Sequence, residues 1–409
     1  MLISYKKRLA QFFELGGPDG RIRSMEGLRG LAVTLVFFVH YEALFAAWVP
    51  QGSASAPVAR FLSTVGHAGV DLFFELSGFL IYGAILKGRM GYASFMRRRV
   101  QRIYPTFFAL LCTYLLLSMM LPSEAKWPLD QGARAVYVIE NLLLMPGMFD
   151  IVPMMTVAWT LSYEVFYYAL IPIIVGGFGM RSWRPQARVL TFLGLAAAFT
   201  FACFLGAGRV QLILFVSGIL VYEAYHSTSL RRLFSGRAAQ VGGVVALVSF
   251  LPVTFVLVTS AIPGLPTRTS DCYNLRAIWL FAALFVLVLV TFRAAGPLRS
   301  LFSATPLRWL GNMSYSYYLM HGLTLKALAL MVARFRPGFS ATAAGHWAFM
   351  PIAFATTLFT SAVVFASIEK RFSLAPGVPR TVPIDLLTHA RWLHRGARSD
   401  VRSSATATA

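Results

Sequence analysis

Ten runs of apolar residues, each about as long as a membrane-spanning helix, dominate this 409-residue sequence. A helix needs about 20 predominantly apolar residues to cross the hydrocarbon core of a bilayer. The runs lie at 29–48, 66–86, 103–121, 156–179, 189–207, 210–225, 239–261, 276–292, 312–333 and 347–367. Hydrophobic residues make up 57% of the chain and charged residues 13%, which excludes an ordinary soluble domain. The sequence therefore predicts an all-α, polytopic membrane helix bundle of about ten transmembrane helices.

One shorter apolar run, at 136–149, does not fit this series. It carries Glu140 and is interrupted by Pro146 and Gly147. Non-helical backbone at membrane depth is tolerated only where protein or water satisfies its polar groups. We therefore predict an interfacial or re-entrant segment here and not an eleventh span.

The net charge of +21 is distributed unevenly along the chain. With ten spans and both termini cytoplasmic, 28 of the 37 Lys and Arg residues fall in cytoplasmic segments, as the positive-inside rule requires. Counting 136–149 as a span would put the basic segment 181–188 outside and invert everything after it. The charge therefore indicates a multi-pass protein of the cytoplasmic (inner) membrane, whose partner is the lipid bilayer and not nucleic acid.

The chain divides into three parts: a cytoplasmic N-terminal segment at 1–20, a transmembrane domain at 21–372 and a basic cytoplasmic tail at 373–409. The first twenty residues lack an apolar core followed by a cleavage site, so we expect no cleavable signal peptide. Cys112, Cys203 and Cys272 are far apart in the sequence. They indicate neither a disulfide framework nor a zinc site.

An arginine and a histidine in the first span are the first candidates for a functional site. Arg29 and His40 are eleven residues apart, so they share a helix face and lie about 16 Å apart along its axis. Ionisable side chains inside membrane spans are rare and mark cavities or chemical sites. An imidazole accepts a proton at physiological pH, so His40 suits a general base that activates a hydroxyl. The alternative is a structural hydrogen bond to a neighbouring helix.

The second span adds His67, Asp71 and Glu75 at four-residue spacing, which places them on one helix face. Because this span runs opposite to the first, we expect Glu75 near the depth of His40 and Asp71 nearer the outer side. A carboxylate bonded to the far nitrogen of His40 would fix its tautomer. The alternative is that these side chains hold water or lock helices together.

Four arginines stand just before the third span: Arg97, Arg98, Arg99 and Arg102. Such a cluster anchors a helix to anionic lipid. It also provides charge-assisted hydrogen bonds for phosphates, together with Arg29. We therefore predict that a phosphate-bearing ligand enters from the cytoplasm and meets these arginines.

Two further segments carry polar side chains at the start of a span. The first, AWTLSYEVFYYALIP, contains Trp159, Ser162, Glu164, Tyr167 and Tyr168, and its aromatic residues also fit an interface belt. The second, LGNMSYSYYLMHG, contains Ser314, Tyr315, Ser316 and His321, and its serines also fit a close helix contact. Near the end of the last span, we expect Glu369 and Lys370 to snorkel toward the interface.

Six segments in this order resemble the acyltransferase type 3 family of bacterial membrane O-acyltransferases, which modify surface glycans. They are EGLRGLAVTLVFFVH, GVDLFFELSGFLI, RRRVQRIYP, WTLSYEVFYY, LGNMSYSYYLMH and IEKRF. The resemblance covers residues from about 21 to 372. It implies a ten-helix bundle that moves an acyl group, usually acetyl from acetyl-CoA, to a hydroxyl of a sugar or lipid-linked sugar. We expect no SGNH-type domain after the helices.

The resemblance also implies roles for individual residues. It assigns catalysis to Arg29, His40, Asp71 and Glu164. It matches Arg98, Arg99 and Arg102 to the basic loop of the family, and we assign acyl-CoA binding to these three together with Arg29 and Arg97. We assign substrate binding to Glu75, Trp159, Ser162, Tyr315 and His321, although many relatives have an apolar residue where this chain has Glu75. No permanently bound cofactor or metal is expected, since acyl-CoA is a donor substrate.

The main alternative is a proton-coupled secondary transporter in which the buried His, Asp and Glu side chains form a relay. Transporters often show repeated halves, and no internal repeat is evident in this sequence. The sequence leaves open the identity of the acceptor, the acyl group, the membrane face on which transfer occurs and the oligomeric state. It also leaves open whether the acyl group is carried covalently on His40.

Overall fold

The computed structural model describes residues 12–14, 22–88, 91–234, 236–259, 269–335 and 342–374. Within them the chain forms helices joined by short turns, and its one β-bridge is isolated. The α-helices are α1 (Arg23–Phe45), α2 (Ala56–Gly66), α3 (Ala68–Lys87), α4 (Tyr92–Met120), α5 (Gln131–Leu142), α6 (Ala158–Gly177), α7 (Pro185–Phe204), α8 (Ile213–His226), α9 (Ser229–Leu233), α10 (Arg237–Thr259), α11 (Thr269–Arg293), α12 (Pro297–Phe302), α13 (Thr305–Asn312), α14 (Ser314–Phe335) and α15 (Ala343–Val364). A π-helical segment, Phe365–Ser373, follows α15 directly.

Eight helical segments of the described chain are long and apolar enough to cross a membrane, which confirms the predicted helical membrane bundle. Each of the ten predicted spans falls on one of the helices. Two of the ten predicted spans, those on α8 and α14, are not among the eight candidate spans. α8 belongs to a shorter apolar segment, Val210–His226. The second span is longer than predicted, because α2 and α3 together make one candidate span, Ala56–Lys87. The exact number of spans and the cytoplasmic location of the termini stay predictions.

Helix α1 lies at the centre of the bundle and packs against α2, α3, α13 and α14. Its approach to α13 is close enough to require glycine: a Cβ atom at Gly30 would lie 2.2 Å from the carbonyl oxygen of Leu307. The same kind of contact joins α3 to α8, where a Cβ atom at Gly218 would lie 1.9 Å from the carbonyl oxygen of Glu75. Small residues allow membrane helices to approach at backbone distance. These two contacts fix which faces of α1 and α3 turn inward.

The segment around 136–149 forms the short helix α5 and then a turn, and it is not among the eight candidate spans. Asp130 caps α5 by accepting a hydrogen bond of 2.7 Å from the backbone amide of Ala133. After the helix, Leu144 and Gly147 both have positive φ angles, of 56° and 97°, and reverse the chain. The turn then packs against α6, where the hydroxyl of Ser162 donates to the carbonyl oxygen of Pro146, and the interfacial or re-entrant character of this segment stays a prediction.

The predicted terminal parts lie largely outside the described residues. Of the predicted N-terminal segment 1–20, the structure describes 12–14, and of the predicted tail 373–409 it describes 373 and 374. The following sections therefore concern the transmembrane domain.

Candidate active site

Arg29 and His40 share α1 but line two different cavities. The first cavity has a volume of about 130 Å³ and contains Arg29; we call it the arginine cavity. The second has a volume of about 410 Å³ and contains His40; we call it the histidine cavity. The predicted pair thus lies on one helix, with each member in its own compartment.

The arginine cavity gathers charged side chains from three helices of the bundle, α1, α4 and α6, and a polar one from α3. The residues that line it include Arg29, Ser77, Arg99, Arg102, Glu164 and Tyr168. Ser77 donates to Glu164 Oε1 over 3.4 Å, and the hydroxyl of Tyr168 donates to the same oxygen atom. The guanidinium of Arg99 lies over the ring of Tyr168, 5.4 Å from its centre. These contacts hold Glu164 and Arg99 at the cavity and not at His40.

Arg102 is held by an ion pair from the far end of the described chain. Its Nη1 atom lies 2.6 Å from Oε1 of Glu369, which is completely buried in the π-helical segment. The other carboxylate oxygen of Glu369 accepts hydrogen bonds from the amide and the hydroxyl of Ser316, over 2.9 Å and 2.5 Å. This anchor fixes the direction of Arg102, since both carboxylate oxygens have partners.

Arg29 has no such partner: none of the hydrogen bonds and ion pairs found among the described residues involves its guanidinium. The Nε atom of Arg99 is buried and also unpaired within the described chain. Three guanidinium groups therefore face two carboxylates, Glu164 and Glu369, around one small cavity. Unpaired guanidinium groups suit a phosphate or carboxylate ligand, which they bind with charge-assisted hydrogen bonds.

In the histidine cavity, the tautomer of His40 is set by the backbone of its own helix. Its Nδ1 atom lies 3.0 Å from the carbonyl oxygen of Val36, and a carbonyl only accepts hydrogen bonds, so Nδ1 carries the proton. The Nε2 atom then offers a lone pair. His321 repeats this arrangement: its Nδ1 atom lies 2.9 Å from the carbonyl oxygen of Tyr317, and its buried Nε2 atom has no described partner. The two imidazole rings meet edge to face, with 4.7 Å between their centres.

The prediction that a carboxylate orients His40 is wrong within the described residues. Asp71 instead forms a buried ion pair with Arg276, 2.5 Å from its Nη2 atom, beside a third cavity. Glu75 is buried and accepts a hydrogen bond of 3.0 Å from Ser217. Because α3 packs closely on α8 at Gly218, its acidic face turns toward α8 and α11 and away from His40.

The predicted phosphate clamp is also smaller than expected. Arg99 and Arg102 line the arginine cavity, whereas Arg97 and Arg98 are exposed on the other side of α4. Residues three apart lie on one helix face, which is why the pair 99 and 102 turns inward together.

The predicted substrate-binding residues are divided among several places. Tyr315 lines the arginine cavity and donates a hydrogen bond of 2.8 Å to the carbonyl oxygen of Ile103. Trp159 lines the third, more polar cavity, which has a volume of about 380 Å³. Ser162 is buried and donates to the carbonyl oxygen of Pro146. Ser162, Glu75 and the buried His321 line none of the described cavities, so these three predictions of substrate contact have no cavity to support them.

Two important residues were missed by reasoning from the sequence. Glu369 does not snorkel, as we expected, but is buried against Arg102. Arg276, the partner of Asp71, stands at the edge of an apolar run, where its charge was the available signal. Each pair joins residues more than 200 positions apart, so spacing could not reveal it.

A hydrogen-bonded cluster connects residues that line the arginine cavity with one that lines the histidine cavity. Tyr318 and Thr160 line the first cavity, and Val157 lines the second. The hydroxyl of Tyr318 lies 2.6 Å from Oγ1 of Thr160, and both oxygen atoms lie within 3.3 Å of the carbonyl oxygen of Val157. We call these three residues the septum.

Among the described residues, no group of three His, Cys, Asp or Glu side chains could hold a metal ion.

Comparison with known proteins gives a consistent result. The model of the acyltransferase domain family matches residues 22–368. The exopolysaccharide production protein ExoZ of Rhizobium meliloti is 27% identical over 279 residues, which cover 65% of this chain and 78% of ExoZ. The peptidoglycan O-acetyltransferase OatA of Listeria monocytogenes is 23% identical over 337 residues, which cover 73% of this chain but 49% of OatA. The acyltransferase MdmB of Streptomyces mycarofaciens is 30% identical over 158 residues, 37% of this chain and 39% of MdmB. No solved structure matches the chain.

Proposed function

The chain belongs to the acyltransferase type 3 family and is a multi-pass membrane O-acyltransferase, and on that premise we propose that it moves an acyl group from acyl-CoA to a sugar hydroxyl activated by His40. The observation that carries the proposal is the position of two side chains on α1. Arg29 offers an unpaired guanidinium in one cavity, and His40 offers a free Nε2 atom in another. The charged acyl-CoA suits the cavity of Arg29, and the neutral sugar hydroxyl suits the cavity of His40.

The arginine cavity suits the donor. With the predicted orientation it faces the cytoplasm, where acyl-CoA is made. The phosphates of CoA bind to Arg29, Arg99 and Arg102, which have an excess of positive charge over the two nearby carboxylates. The printed names of the relatives, an O-acetyltransferase and an exopolysaccharide protein, favour acetyl as the acyl group and a glycan as the acceptor.

The reaction is a transfer between a thioester and an alcohol. His40 Nε2 removes the proton from the acceptor hydroxyl, whose oxygen atom attacks the thioester carbonyl carbon. The new C–O ester bond forms as the C–S bond breaks. The proton held by His40 passes to the departing thiolate, which leaves as CoA. His40 ends in its starting form, so the cycle needs no other proton source.

The thioester must also reach His40 from the arginine cavity. Arg29 and His40 are about 16 Å apart along α1, by the rise of an α-helix. The extended pantetheine arm of CoA crosses this distance once the side chain of Tyr318 rotates away from Thr160 and Val157. In this proposal, the septum closes the path between the compartments when no donor is bound.

The proposal is tested by measuring CoA release from acetyl-CoA by the purified protein in nanodiscs, with and without a cell-envelope glycan fraction. We expect release that depends on the glycan, and His40→Ala should lower kcat by about 10²- to 10⁴-fold, as for loss of a general base. Arg29→Ala should mainly raise the KM for acetyl-CoA. The matched control is Arg60→Gln, an exposed arginine on α2 that lines no described cavity. If neither the wild type nor these variants bind any acyl-CoA, the mechanism is wrong and proton-coupled transport becomes the hypothesis to test.

A further inference from the structure

The histidine cavity has two chemically different parts. One part, which we call the apolar wall, is formed mainly by leucines of α14, of α4 and of the residue that follows α4. It consists of Leu117, Leu121, Leu319, Leu323 and Leu330. The other part, which we call the basic rim, consists of Glu124, Lys126 and Lys326. A water-soluble polysaccharide would gain little from so extensive an apolar wall, since sugars present hydroxyl groups on most faces.

The apolar wall continues into the surface that faces the lipid. Leu319 is completely buried, but Leu121 is 45% exposed and Leu330 is 37% exposed. Beyond them on the same two helices, Met119 and Met331 are 67% and 49% exposed. α4 is apolar and long enough to cross a membrane, and in that arrangement its exposed apolar side chains would face acyl chains. The apolar lining of the histidine cavity is thus continuous with exposed apolar surface on α4 and α14.

The basic rim carries more positive than negative charge. The Nζ atom of Lys326 lies 3.0 Å from Oε2 of Glu124. Lys126 has only neutral partners: it donates to Oγ1 of Thr156 over 3.0 Å and to the carbonyl oxygen of Pro153 over 3.3 Å. Burial, and the nearby ammonium of Lys326, lower the pKa of Lys126. Two ammonium groups against one carboxylate leave the basic rim with a net positive charge, which suits an anionic ligand.

We propose that the acceptor is a lipid-linked saccharide, whose hydrocarbon chain lies on the apolar wall and whose phosphate or diphosphate binds Lys126 and Lys326. This inference rests on the proposed function and adds the class of acceptor to it. The sugar then extends from the basic rim into the cavity, where one hydroxyl reaches His40. The phosphate is not consumed: the acyl ester forms on the sugar oxygen, and the phosphate only positions the molecule. A bilayer phospholipid combines the same two groups, so it must be distinguished by experiment.

The test is a binding measurement without any acyl donor, so that it does not depend on turnover. Farnesyl diphosphate is titrated into the full-length protein in phosphatidylcholine nanodiscs, and farnesol and inorganic pyrophosphate are titrated in parallel. We expect saturable binding of farnesyl diphosphate and binding at least about tenfold weaker for the other two ligands. Lys126→Gln and Lys326→Gln should each weaken the binding of farnesyl diphosphate about tenfold, as for the loss of one charge-assisted hydrogen bond.

Three controls keep the result specific. Arg60→Gln removes a positive charge without changing the cavity and should leave the affinity unchanged. His40→Ala should also retain binding, so a failure of the catalytic proposal and a failure of this inference can be told apart. Leu323→Gln, on the apolar wall, should weaken the binding of farnesyl diphosphate and not that of pyrophosphate. Equal affinities for farnesyl diphosphate and farnesol, or an unchanged affinity in both lysine variants, would overturn the proposal. Competition by phosphatidylglycerol added to the nanodiscs would instead assign the site to bilayer lipid.

Discussion

At the scale of single residues, the two histidines of the candidate site owe their tautomers to backbone carbonyl groups. His40 and His321 each use Nδ1 to bond the carbonyl oxygen four residues earlier in their own helix. The carboxyl groups of the second span serve other partners, because Asp71 neutralises Arg276 and Glu75 accepts from Ser217. The tautomer of His40 is therefore set by a backbone carbonyl and not by a carboxylate, unlike that of the histidine in a hydrolytic triad.

This arrangement predicts that Asp71 acts on stability more than on chemistry. Asp71 and its ion-pair partner Arg276 are each about 2% exposed. Asp71→Asn leaves a buried guanidinium without its counter-charge, which should lower the free energy of unfolding by about 3 kcal/mol. The pH dependence of kcat in the folded fraction should stay that of the wild type, because Asp71 does not touch His40.

Thermal unfolding in detergent and a pH–rate profile would measure the two effects. The double variant Asp71→Asn with Arg276→Met should recover part of the lost stability, since it removes the unpaired charge. A pH profile displaced in Asp71→Asn alone would show that this carboxylate acts in the reaction after all.

At the scale of secondary-structure elements, backbone contacts between helices decide where functional side chains point. The π-helical segment after α15 turns Glu369 inward to Arg102 and Ser316, whereas its neighbour Arg371 is exposed. Helix α1 depends in the same way on its close approach to α13. A rotation of α1 would move both Arg29 and His40 out of their cavities.

A methyl group at Gly30 tests this dependence. In Gly30→Ala the new Cβ atom would lie 2.2 Å from the carbonyl oxygen of Leu307, so the two helices must separate. We expect a loss of several kcal/mol in stability, of the size seen for strongly overpacked interiors. The measurement is the yield of monodisperse protein by size-exclusion chromatography, followed by thermal unfolding.

Gly176→Ala is the matched control, because no atom lies within 4 Å of a Cβ atom built at that helical position. Alanine is favoured over glycine within a helix by about 1 kcal/mol, so this variant should be as stable as the wild type or more so. Similar behaviour of the two variants would argue against a close α1–α13 contact in the membrane.

At the scale of the whole molecule, the described chain separates a charged compartment from a partly apolar one. The arginine cavity suits a water-soluble anionic donor, and the histidine cavity suits an acceptor from the other side or from the bilayer. In the proposed mechanism, Tyr318, which is hydrogen-bonded to Thr160, closes the path between them. Such a barrier would protect the thioester from water until an acceptor is in place.

Removing the barrier should therefore uncouple cleavage of the thioester from transfer of the acyl group to the acceptor. In Tyr318→Ala we expect a several-fold increase in the hydrolysis of acetyl-CoA without acceptor, because water from the histidine cavity gains access to the thioester. Tyr318→Phe keeps the ring and should stay close to the wild type in this assay. CoA release measured without a glycan would compare them, and equal rates in all three proteins would exclude a sealing role for Tyr318.

The sequence by itself determined that this protein lies in a membrane and that it is built from helices. Apolar runs of about 20 residues predict membrane helices, and ionisable groups within such helices are costly and usually mark a functional site. The first span therefore identified Arg29 and His40, and six ordered segments identified the family, which the match over residues 22–368 bears out. Helical periodicity could also show that two residues share a face of one helix.

Only the tertiary structure decided which helix that face meets. Glycine contacts turned the acidic face of α3 toward α8 and α11, so Asp71 bonds Arg276 and not His40. Helix packing likewise brought Glu369 to Arg102 across 267 residues of sequence and put Arg29 and His40 in separate cavities. The physical reason is that spacing along a chain reports distances within one helix. The rotation of one helix against another follows from backbone contacts between residues far apart in the sequence, which no local pattern records.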